Sequence, residues 1–130
     1  MTGDALPYPA LSKQVVEAVV GDHLDDDLTC EEIVAELQKT FVPFFIIPDY
    51  DRAKSCERRW RDLFGDNVLT LETASDVCFV TAGAMLLNEG RVSSLQEALT
   101  SLSGAGMPAD RQGQVARSLT PFADVIFHTR

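Results

Sequence analysis

Residues 73–89, TASDVCFVTAGAMLLNE, decide the fold. Val77, Val80, Ala84 and Leu87 recur at helical spacing, while Cys78, Phe79, Met85 and Leu86 leave the helix without a polar side. A helix that is apolar all round belongs at the centre of a protein, so this segment is read as a buried central helix, with Cys78 as packing inside it. Gly90 ends it.

Working outward, residues 50–64 place Ala53, Cys56, Trp60, Leu63 and Phe64 on one face, and Gly65 closes that helix. The segment 29–41 opens with Thr29-Cys30-Glu31-Glu32, a capping box in which the Thr hydroxyl and the second Glu carboxylate satisfy free backbone donors at a helix start. Ile33, Val34, Leu37 and Phe41 follow at helical spacing. Residues 9–20 read as a further helix with a broad apolar surface (Leu11, Val15, Val16, Val19, Val20) that stops at Gly21. A short helix capped by Ser93 or Ser94 runs to Leu102, another spans 108–119, and residues 121–127 read as a docked tail. Residues 1–7 read as a loose start.

Between the helices lies Val42-Pro43-Phe44-Phe45-Ile46-Ile47-Pro48, where prolines exclude a helix and the residues between favour extended structure. A second extended stretch spans 68–71. Paired, the two would be parallel, with the helix 50–64 as the crossover. So apolar a run as Phe44, Phe45, Ile46 and Ile47 either packs inside or joins two subunits, and a homodimer through it is the expectation carried forward. The fold class is mainly α: a single compact domain of about six helices around a central one, with up to two short β-strands.

The chain has 130 residues, 45% hydrophobic, with 20 acidic against 11 basic side chains. That length and apolar fraction suit one domain with its own core. The net charge is −9, and residues 1–51 account for all of it, with eleven acids and two bases. Three cysteines without a C-x-x-C pair fit a reducing, cytoplasmic setting better than a disulfide framework. No apolar run approaches a bilayer span.

Asp22, Asp25, Asp26, Asp27, Glu31, Glu32 and Glu36 form the densest acidic cluster. Asp25, Asp27, Thr29, Glu31 and Glu36 occupy spacings of an EF-hand loop, yet Cys30 stands where that loop turns on glycine, and the capping box places helix where the loop must be open. His23, Cys30, Cys56 and Cys78 are zinc-ligand types without the short paired spacings of structural zinc sites. Neither metal nor cofactor is expected. Lys54, Arg58 and Arg61, with Arg52 and Arg59 alongside, form a basic face of the helix 50–64 that suits phosphates, although the last half of the chain supplies little further positive charge. Cys56 has basic neighbours that would activate a thiol, but its helical phase points it inward, and His23 and His128 lie far away in sequence.

The leading functional reading is therefore a non-enzymatic acidic module that covers a basic surface on a partner protein, as an inhibitor, immunity-type or adaptor protein would. The rival is a helical nucleic-acid-associated regulator using Lys54, Arg58, Arg59 and Arg61. A third is an enzyme or enzyme subunit whose site no sequence string reveals.

Overall fold

A two-stranded parallel ribbon divides the molecule. The computed structural model describes residues 1–21 and 23–129, the side chain of Thr129 excepted. Strand β3 (Phe45–Ile47) pairs with β4 (Val68–Thr70) in the register Phe45 to Val68, Ile46 to Leu69 and Ile47 to Thr70. Successive strand side chains point to opposite faces. Ile46 and Leu69 therefore join one core with α4 (Val77–Asn88), α5 (Leu95–Gly104) and α6 (Gln112–Thr129). Phe45, Ile47 and Val68 join another with α3 (Tyr50–Phe64) and α2 (Cys30–Gln38). Strand β3, covered on both faces, has no use for a polar residue, which explains its unbroken apolar run.

Phe45, Ile46 and Ile47 are 4%, 6% and 0% exposed, and Phe44 packs edge-on against Phe122. The run is core, so it offers a second copy no surface, and the homodimer through it falls away. The crossover helix α3 has the bounds read from the sequence, and Gly65 terminates it at φ 64°, a conformation that side chains with a Cβ resist. An isolated parallel pair is rare, but this one has company. Ile46 donates to the Met1 carbonyl (2.8 Å) and Gly3 donates to the Ile46 carbonyl (3.1 Å), so the first three residues lie along the outer edge of β3. Trp60 Nε1 donates to the Ala5 carbonyl (2.8 Å) while its ring stacks on Phe45. The start of the chain thus makes bonds at Met1, Gly3 and Ala5.

The three carboxy-terminal helices pack on one another. Gly83 makes this possible on α4, because a Cβ there would lie 2.5 Å from Leu119 Cδ1 of α6. Helix α6 runs through Pro121, so what looked like a helix followed by a docked tail is one element. Its buried stripe Val115, Leu119, Phe122, Ala123 and Ile126 outweighs the roughly 3 kcal/mol that an interior proline costs.

Helix α4 packs on both α5 and α6, which also touch each other, and buries Val80, Gly83, Ala84 and Leu87, but its outer face is open. Cys78 is exposed and Met85 is 62% exposed. The expectation that Cys78 is packing is therefore wrong: with apolar residues on every side, the sequence held no phase information to say which face turned outward.

At the amino-terminal end, β1 (Ala10–Leu11) pairs antiparallel with β2 (Leu28–Thr29), which shortens the expected helix 9–20 to α1 (Lys13–Val19). Among its described residues α1 buries only Val16, leaving Val15, Val19 and Val20 more than half exposed.

Candidate functional site

The acidic front surrounds the start of α2. The capping box forms as read: Glu32 N–H donates to Thr29 Oγ1 (3.1 Å), and Thr29 N–H donates to Glu32 Oε2 (3.3 Å). Asp27 has a structural task the sequence did not reveal. Its carboxylate accepts from the Lys13 N–H (2.8 Å) and so caps α1, whose own N-cap Ser12 makes no side-chain bond. Glu31 is held by Arg59 of α3, which keeps its carboxyl below the usual carboxylate range. Glu36 pairs with Lys39 one turn on (2.7 Å). His23 lies 2.9 Å from Glu17 and 3.5 Å from Asp25. Asp22 lies outside the described residues. The carboxylates that point into solvent with least to hold them are thus Asp25 and Asp26.

A shallow acidic hollow lined by His23, Asp25, Asp26, Asp27, Leu28 and Glu32 adjoins an apolar groove of about 770 Å³ along α2. The two share Leu28 and Glu32. Ile33 and Leu37 line the groove from one stripe of α2, and Phe41, three residues past the end of the helix that the sequence carried to residue 41, joins them. Phe41 is 62% exposed, and Glu32 and Glu36 stand on the rim.

The basic stripe of α3 is largely occupied. Arg59 holds Glu31, Arg61 Nε pairs with Glu57 (3.0 Å), and Lys54 Nζ sits 6.0 Å from the Tyr50 ring centroid. Arg52 and Arg58 remain exposed. Cys56 is 1% exposed, and burial, with Asp4 and Glu57 adding to it, pushes its thiol pKa up. It is therefore a packed thiol and not a poised nucleophile. Cys30 donates to the Tyr8 carbonyl. Among the described residues, no three of His, Cys, Asp and Glu converge as a metal would require, and no helix is long and apolar enough to cross a membrane.

A second concavity escaped the sequence reading. It lies where α3, β4 and α6 meet and holds about 330 Å³. Helix α3 contributes Tyr50, Glu57 and Arg61; the end of β4 and the residues after it contribute Thr70 and Glu72; α6 contributes Arg117 and Ser118. These residues come from three distant parts of the chain. Only the even spacing of Thr70 and Glu72 and the i, i+7, i+11 positions of α3 link any of them in sequence.

The chain matches no family model, no curated protein and no solved structure.

Proposed function

We propose that this chain is a protein-binding module in which the acidic front and the adjoining groove on α2 receive a basic, amphipathic segment of a partner protein, in the manner of an inhibitor, immunity-type or adaptor protein. The observation that supports it is the continuity of the two surfaces through Leu28 and Glu32. An acidic loop alone serves solubility equally well. An apolar stripe left open beside it selects a ligand that carries both apolar anchors and positive charge, because the anchors gain from leaving water while the charges steer encounter and fix orientation.

The test is a titration of the isotope-labelled chain with a synthetic helical peptide, leucine along one stripe and lysine elsewhere. Amide shifts are expected in residues 24–41, weakening as salt rises. Phe41→Asp should remove the anchor contribution, and Asp25→Asn with Asp26→Asn should slow association while leaving the Asp27 cap of α1 intact. Shifts spread evenly over the chain, or binding indifferent to both variants, would make the front a solvated surface only.

A further inference from the structure

The side of α4 that α5 and α6 leave uncovered differs from an ordinary solvent face. Cys78, Ala82, Met85 and Glu89 recur along it at helical spacing, and all four are exposed. No side chain from Val77 to Asn88 is charged. Contiguous apolar surface with charge only at its rim marks a place of contact.

Two features fit this face to one partner, a second copy of the chain. The first is shape. Between α4 and the end of α5 lies a hollow of about 440 Å³ with an almost wholly apolar wall, to which Ala82, Leu86, Leu102 and Ala105 contribute. Met85 borders the same hollow and stands 62% exposed beside it. A projection and a cavity side by side on one patch are self-complementary, because a two-fold axis between them sends each Met85 into the other copy's hollow. The unbranched thioether adapts readily to the space it enters.

The second feature is charge. Glu89 and Arg91 stand at the rim of the hollow, with Gly90 turning the chain between them at φ 66°. Among the described residues neither side chain has a hydrogen bond or an ion pair. Across a two-fold axis each faces its opposite, so one unpaired couple becomes two intermolecular pairs. Other surfaces suit a second copy less well. Two chains of net charge −9 repel, and the α2 groove and the hollow beside it carry carboxylates. The α4 face sets one acid and one base from each copy against the same pair from the other.

We propose that the chain self-associates through this face as a two-fold dimer, Met85 of each copy seated in the hollow of the other and Glu89 paired with Arg91 across the axis. The inner face of α4 is buried without it, so the dilute chain is a folded monomer with this side open to solvent. The surface shares no residue with the α2 groove and is independent of the protein-binding reading.

Sedimentation of the full chain over a micromolar to millimolar series tests it. The mass should rise from one chain to two and no further, since an isologous contact closes on itself. Met85→Asp, at an exposed position and with the fold checked by circular dichroism, should keep the chain monomeric throughout. Glu89→Arg and Arg91→Glu, each alone, set like charges against each other twice and should weaken self-association roughly tenfold or more. Mixed in equal amounts, these two variants should pair with each other, because every residue 89 then faces an opposite charge at 91. A chain that stays monomeric at every concentration leaves the face to solvent or to a partner of another kind and overturns the proposal. So does a dimer that Met85→Asp does not weaken, or a mixture of the two charge variants that associates no better than either alone.

Discussion

Helices α3 and α4 invert the usual relation between composition and burial. Helix α3, YDRAKSCERRWRDLF, carries eight charged side chains in fifteen residues, yet it buries Cys56 at 1% exposure. Helix α4, VCFVTAGAMLLN, carries none, yet it turns Cys78 and Met85 to solvent. The difference teaches that burial belongs to a face and not to a helix. In α3 the polar residues mark the outside and so define the inside. In α4 every face qualifies, and the choice falls to what the neighbours offer: α5 and α6 cover the side bearing Val80, Gly83, Ala84 and Leu87.

The two thiols provide the sharpest way to break this contrast. Cys78 should react with iodoacetamide in the folded protein, whereas Cys56 waits for an opening event and should react roughly a thousandfold more slowly or slower still. Mass spectrometry of a timed reaction reads both, and equal rates would erase the distinction between the helices. Next in size are truncations on α4. Leu87→Ala, at 1% exposure, should cost roughly 2–5 kcal/mol in urea denaturation, while Met85→Ala two residues away should stay within about 0.5 kcal/mol. A large loss at Met85 would mean that its face is covered.

The helix starts give a smaller contrast. Asp49 caps α3 by accepting from Asp51 N–H (2.8 Å), but α4 has no side-chain cap. Asp49→Ala should cost about 0.5–2 kcal/mol. No loss would show that packing alone holds α3 in place.

The pH dependence of stability is the smallest effect and has two limbs, one through Glu31 of α2 against Arg59 of α3, the other through Cys56 of α3. Glu31 is held low by Arg59, so its contribution is present above its ordinary value of 4.5 and is lost as pH falls through the lower folded value. Cys56 is held high by burial, so its contribution is present below 9.0 and is lost as pH rises through the folded value. Denaturation midpoints measured across this range should decline at both ends, and Arg59→Gln should reduce the acid limb, to which Glu72 and Glu97, also held low, contribute, while leaving the alkaline limb unchanged.

What the sequence discloses follows the same division. Thr29 and Glu32 announce their cap because the motif is local, and Phe44 to Ile47 announce a buried strand because no polar residue interrupts them. The bounds of α3 are legible for the reason just given. Cys78 misleads because α4 lacks a polar marker. Pro121 misleads because its local cost is plain in sequence, whereas the stripe from Val115 to Ile126 that overrides it becomes decisive only once α4 and the ribbon are in place. Of the acidic front, the positions are legible and the tasks are not: that Asp27 caps a helix starting at Lys13, fourteen residues earlier, depends on β1 and β2 meeting. Beyond the spacings within α3 and after β4, the cleft has no linear signature, since Arg61, Glu72 and Ser118 converge only through the crossover and the return of α6.

The first three residues bear on a hazard that the ribbon would otherwise carry. A strand edge with unpaired donors and acceptors is a template for a second chain, and an apolar run without interior proline, such as Phe45 to Ile47, suits aggregation. The bonds to Met1 and Gly3 occupy that edge from within the same molecule. Residues that belong to no helix and bury little of themselves thus act as the fold's own protection against growing sheet from molecule to molecule.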